Sequence, residues 1–111
     1  MIKRSEMQKI ASEYTDPKIG VLGSHSALEI MDGAKDEDFE TVVYCQKGRE
    51  VPYQRFNRIA DEIKIVKKFK DMASPANQKI MRENNTIIVP HRSLTAYLGY
   101  EILENKLKVP I

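Results

Sequence analysis

Four short apolar runs, separated by stretches of helical periodicity, constrain the fold more than any other feature of the chain. They are Ile19-Gly20-Val21-Leu22, Thr41-Val42-Val43-Tyr44-Cys45, Glu62-Ile63-Lys64-Ile65-Val66 and Thr86-Ile87-Ile88-Val89-Pro90. The first reads as a strand buried on both faces, the second and fourth are β-branched, and the alternation in the third predicts an edge or partly exposed strand. Between them, Ile2, Met7, Ile10 and Tyr14 share one helical face, and Thr15-Asp16-Pro17 ends that helix. A second helix is expected from Ala27 to about Asp36, with Leu28 and Met31 toward the sheet and Ser24 or Ser26 capping its start. Ser74-Pro75 predicts a capped helix running to Asn84-Asn85, residues 94–99 a short one, and 47–61, with Gly48 and Pro52, a polar connection. Strands alternating with helices indicate an α/β three-layer sandwich with a mostly parallel sheet of about four strands.

A chain of 111 residues has room for one core, and with no repeat, low-complexity stretch or linker, residues 1–111 are expected to form a single domain. No apolar run approaches the roughly 20 residues that span a bilayer. Met1-Ile2-Lys3-Arg4-Ser5-Glu6 leads into no apolar signal region, so no targeting segment is expected. One cysteine, Cys45, forms no internal disulfide, and with only His25 and His91 beside it the chain cannot build an ordinary structural zinc site. A cytoplasmic location and no bound metal are therefore expected. Net charge is only +2; the first 55 residues carry 8 basic and 10 acidic side chains, the remainder 10 and 6. That imbalance suits a local anion, and falls short of the basic stripe of a nucleic-acid binder.

In parallel open sheets, ligands bind at the carboxyl ends of the strands, near the reversal of strand order. Gly23-Ser24-His25-Ser26 follows the first run and Pro90-His91-Arg92-Ser93 the fourth, each placing a histidine and serine beside a helix start, where free amides favour a phosphate or carboxylate. If the first and fourth strands are neighbours, the two segments face each other across one crevice. The bland reading stands beside this: serine at a helix start is ordinary capping, and a lone histidine in a turn is commonly solvated. Lys47, Arg49 and Arg55 follow the second run and read either as phosphate contacts or as solvated loop charge. Lys64, Lys67, Lys68 and Lys70 read as a solvated edge, and Cys45 as a small buried apolar residue. No G-x-G-x-x-G, G-x-x-x-x-G-K-[ST] or G-x-S-x-G motif occurs, so dinucleotide, P-loop and serine-hydrolase sites lack their usual support, and no catalytic residue is identified.

Taken together, Leu22-Gly23-Ser24-His25-Ser26, Asp32-Gly33-Ala34-Lys35, Lys47-Gly48-Arg49-Glu50-Val51-Pro52-Tyr53-Gln54-Arg55-Phe56, Ile88-Val89-Pro90-His91-Arg92-Ser93 and Val109-Pro110-Ile111 resemble, in order, the amino terminus of the archaeal PurP family. That family comprises the formate-dependent formylaminoimidazole carboxamide ribonucleotide synthetases of purine biosynthesis, in the ATP-grasp superfamily. The resemblance implies a Rossmann-like domain that precedes the ATP-grasp portion and binds aminoimidazole carboxamide ribonucleotide. It assigns ribonucleotide contacts to His25 and Ser93, with Ser24 and Ser26 flanking, and makes Arg49 and Arg92 possible anion contacts. The family has V-P-H-G-S where this chain has Arg92, a change that alters the loop or adds a guanidinium to the site.

ATP and magnesium are implied for the whole ligase, in an ATP-grasp region that this chain does not contain. The chain alone is thus expected to bind without turnover, and Tyr97, Leu98, Tyr100 and Ile102 are candidates to lie under the missing ATP-grasp portion or against a second copy in a homo-oligomer. The alternative is a stand-alone or degenerate module that binds a phosphorylated ligand or partner without catalysis, Arg92 marking a changed ligand. Neither reading involves a membrane or nucleic acid.

Overall fold

In the computed structural model, which describes residues 1–24 and 26–111, the four apolar runs form strands β1 (Lys18–Leu22), β2 (Thr41–Gln46), β3 (Glu62–Val66) and β4 (Thr86–Ile88). All three pairings are parallel and the order is β3-β2-β1-β4. The helices are α1 (Arg4–Ser12), α2 (Ala27–Asp36), α3 (Val51–Arg55), α4 (Pro75–Glu83) and α5 (Arg92–Leu98), with a 3₁₀ segment at Phe69–Ala73 and a π turn at Ile102–Lys106.

Alternation along β1 and β2 divides the core into two layers. Val21, Val43 and Cys45 point to the side covered by Ala27, Met31 and Tyr53 of α2 and α3. Leu22, Val42, Tyr44 and Ile88 point to the other, where Met72, Met81, Leu94 and Val109 bury against them. Each such side chain, fully withdrawn from water, contributes about 1.5–3 kcal/mol before entropy is charged. The central strands are covered on both faces, as a parallel sheet requires, and β3 at the margin leaves Ile65 51% exposed.

Close approach of β1 to β4 depends on Gly20. A Cβ there would lie 2.6 Å from Thr86 Cγ2 and 3.5 Å from Val42 Cγ1. At the opposite, amino-terminal edge of the sheet, Asp61 Oδ2 accepts from Lys35 Nζ (2.7 Å) and the Thr41 amide (2.9 Å), and the Thr41 hydroxyl donates to the Ile59 carbonyl. This tie joins the end of α2 to the starts of β2 and β3.

The sheet and α2 follow the sequence pattern closely, and the sheet is all-parallel. Ser74 caps α4 as expected, its hydroxyl accepting from the Asn77 amide at 3.2 Å. The caps expected from Ser24 or Ser26 do not form: Ser26 occupies the cap position of α2 in helical conformation and makes no side-chain capping bond. The Ser24 carbonyl instead accepts from the Ala27 amide at 3.0 Å. The polar connection after β2 contains α3, and β4 ends at Ile88, two residues short of the apolar run: the Val89 amide still donates to the Gly20 carbonyl, and beyond Pro90 the backbone leaves the sheet for α5. Among the residues expected under a further domain, Leu98 is already in the core, Ile102 is half-buried, and Tyr97 and Tyr100 are exposed; the Tyr97 ring meets Phe69 at a centroid distance of 4.5 Å.

Candidate functional site

Because β1 and β4 are neighbours, the connections that leave their carboxyl ends begin side by side. The Leu22 carbonyl, last in β1, accepts from the Ser24 amide at 2.9 Å and bonds to His91 Nε2 at 3.0 Å. A carbonyl only accepts, so Nε2 carries the proton in this contact. Gly23 seats the turn against β2: its amide donates to the Tyr44 carbonyl at 2.7 Å, and a Cβ on it would fall 3.0 Å from both that oxygen and Cys45 Cβ. From the other side the Tyr53 hydroxyl, carried on α3, reaches the Ser24 carbonyl at 3.4 Å. The turn after β1 is thereby held from β2, α3 and the β4–α5 connection at once.

At its centre, Ser24 Oγ is shielded from solvent and has no hydrogen-bond partner among the described residues. Leaving a buried hydroxyl unpaired costs about 1–3 kcal/mol, so the atom is an open acceptor and donor at this edge. Ser26 and Ser93 are half-buried, Arg92 opens α5 on the surface, and Arg49 is exposed in the turn after β2. His25 lies outside the described residues. Among the described residues, none of the three serine hydroxyls is hydrogen-bonded to another side chain, so no nucleophile–base pair is assembled. Burial, reinforced by the charge of Glu50, pushes the Cys45 thiol up, which leaves it a core group and a poor nucleophile. Burial also raises the Tyr53 phenol, keeping it a donor.

The chemistry this edge offers is hydroxyls and guanidinium groups around a tight turn, suited to holding an anion and hydroxyl-bearing ligand. A separate depression of about 540 Å³ lies at the opposite edge, between Asp16, Lys18, Asp38, Glu40, Glu83 and their neighbours, and includes none of the candidate site residues. Among the described residues no group of three His, Cys, Asp or Glu side chains could hold a metal ion, and no helix is long and apolar enough to cross a membrane. Ser24 and Ser26 follow β1, Arg92 and Ser93 follow β4, and Arg49 follows β2, so all five leave the carboxyl-terminal edge of the sheet, the first four from neighbouring strands. Sequence reasoning placed His91 in the second segment without a role and did not single out Tyr53; both sit inside strings quoted for the resemblance, and only the register of β1 with β4 and the docking of α3 show what they reach.

Residues 19–111 match the family described as protein of unknown function DUF1246. The chain belongs to that family. It is also 46% identical, over 100% of its length and 31% of the relative's, to the 5-formaminoimidazole-4-carboxamide-1-(beta)-D-ribofuranosyl 5'-monophosphate synthetase of Methanopyrus kandleri. The protein of the same description from Methanothermobacter thermautotrophicus is 47% identical over 99% of this chain and 31% of its own. Among solved structures, the crystal structure of an IMP biosynthesis protein PurP from Thermococcus kodakaraensis matches with a TM-score of 0.63 and 32% identity, over 82% of this chain and 27% of that one. The resemblance to PurP read from the sequence is thus borne out, and the chain spans under a third of the length of these relatives.

Proposed function

We propose that this chain is the ribonucleotide-binding amino-terminal portion of an ATP-dependent ligase that formylates aminoimidazole carboxamide ribonucleotide with formate, in the cytoplasm, on the route to purines. The observation that carries this reading is the adjacency of the two connections after β1 and β4 on one edge, in a chain whose relatives are synthetases of the formylated ribonucleotide. His25 and Ser93 contact the ribonucleotide; Ser24 and Ser26 supply further hydroxyl contacts, and Arg92 and Arg49 draw its phosphate. The unpartnered Ser24 Oγ supports a polar ligand at this turn. Arg92 also favours the second reading, a binding module for another phosphorylated ligand, which is distinguished by preference for that ligand over the aminoimidazole ribonucleotide.

ATP and magnesium belong to the whole ligase. The described residues do not fit them: neither a P-loop nor a glycine-rich dinucleotide loop occurs in the sequence, and the described residues offer no group of three His, Cys, Asp or Glu for a cation. Activation of formate is therefore assigned outside this chain, and the exposed Tyr97 and Tyr100 are offered as part of the surface that meets the remainder of the ligase or a second copy.

Calorimetric titration of the chain with aminoimidazole carboxamide ribonucleotide tests the assignment. Binding is expected, with losses of about tenfold or more on His25→Ala and on Ser93→Ala, the scale of one or two hydrogen bonds to a charged ligand. Binding untouched by both substitutions, or formyl transfer by this chain alone, refutes it.

A further inference from the structure

We infer that His91 is a positioning residue, whose imidazole replaces a missing rung of the sheet and so fixes Ser93 against the turn that carries Ser24. The inference rests on the ribonucleotide reading of this edge. The last main-chain rung between the two strands runs from the Val89 amide to the Gly20 carbonyl at 2.9 Å. In a parallel ladder the next donor would be the amide two residues on, at His91, and the next acceptor the carbonyl two residues on, at Leu22. The acceptor is used, and the donor is His91 Nε2 at 3.0 Å. After Pro90 the backbone has turned out of the sheet, with His91 extended (φ −146°, ψ 174°) and α5 starting at Arg92. A side chain therefore spans the gap that the turning backbone opens.

The same Leu22 carbonyl closes the turn to Ser24, so one oxygen holds both halves of the site, with Ser93 two residues beyond the imidazole. Without the tie, the body of α5 remains anchored by the buried Leu94 and Leu98, but its opening residues Arg92 and Ser93 and the segment ahead of them are free to drift from β1. The fold has its core without this bond; the site does not have its geometry.

Three variants test this in the intact chain: His91→Ala, His91→Gln, whose amide nitrogen stands the same number of bonds from Cα as Nε2, and His91→Asn, one bond shorter. Expected for His91→Ala are an affinity for aminoimidazole carboxamide ribonucleotide lower by about tenfold, the worth of one hydrogen bond at a ligand site, a melting temperature close to the parent's, and faster hydrogen exchange at the Val89 amide without ligand. His91→Gln is expected to recover most of the affinity and the Val89 protection, and His91→Asn neither. Parent-like affinity in His91→Ala, or His91→Gln no better than His91→Ala at equal melting temperature, overturns the inference. Should His91→Ala not fold, equal affinities of the Gln and Asn variants overturn it. If the parent chain binds no ribonucleotide, the ribonucleotide reading fails by itself, and Val89 exchange decides the tie: unchanged protection in His91→Ala overturns it, and lost protection that Gln restores upholds it.

Discussion

Gly20→Ala is the perturbation that most directly probes how the two connections of the candidate site are held together. The new methyl would stand 2.6 Å from Thr86 Cγ2, about 1 Å inside the distance at which carbon atoms attract. Val42 Cγ1 at 3.5 Å blocks escape toward β2, and Thr86 is a buried, β-branched side chain with restricted rotation. Moving β4 outward would stretch the rungs that pair Lys18 with Thr86 and Gly20 with Ile88. Overpacking of this kind costs about 1–3 kcal/mol, or roughly 4–12 °C of melting temperature in a chain of this size. Thr86→Ser deletes the offending methyl. Alone it should destabilise by about 0.5–1.5 kcal/mol, the usual loss for one buried methyl, whereas in the Gly20→Ala background it should stabilise. Urea unfolding of the four proteins yields the coupling, expected to exceed about 1 kcal/mol in the favourable direction. A parent-like Gly20→Ala, or additivity within about 0.5 kcal/mol, would show that the strands separate freely and that strand spacing does not depend on this glycine.

Two further outcomes follow from burial and charge. Burial alone would raise the Asp61 carboxyl, but hydrogen bonds from Lys35 and the Thr41 amide outweigh it and hold the group below its ordinary value. A depressed carboxylate contributes stability that is complete above its unfolded value, about 3.9, and is lost as pH falls through the folded one. Asp61→Asn should therefore flatten the stability profile below about pH 5, measured by denaturant unfolding across pH; parallel profiles for the two proteins would refute the tie. Cys45 is fully buried and its thiol is pushed up, so iodoacetamide at mildly alkaline pH should label it only after unfolding, as followed by mass spectrometry. Rapid labelling of the native chain would contradict that placement.

The strands were legible because their apolar runs are short, β-branched and bounded by Gly, Pro or Asn, and the open alternation of β3 marked it as marginal. Single-turn elements were not. Val51–Arg55 and Phe69–Ala73 are too short to be stable by propensity, and exist because Tyr53, Phe69 and Met72 reach the core, which local pattern cannot reveal. At the candidate site, residue types and chain positions pointed to the connections after the first and fourth strands, and the strand order makes those connections neighbours. The capping roles given to Ser24 and Ser26 failed because the turn satisfies its amides through main-chain carbonyls. The reach of His91 to Leu22 depends on register between β1 and β4, a relation between distant segments that no window of sequence contains.

The bond between His91 and Leu22 joins residues 69 apart, and this has a consequence for the order of events during synthesis. Strands β1, β2 and β3 pair with neighbours close in sequence, and their loops close cheaply; β4 must cross back over them to the far side of β1, a non-local step that comes late. A nascent chain that has exposed only its first three strands carries the Ser24 turn but not the segment that completes the site. On the proposed ribonucleotide reading, ligand capture is therefore tied to completion of the sheet, and ligand present then draws the equilibrium toward the finished domain by mass action.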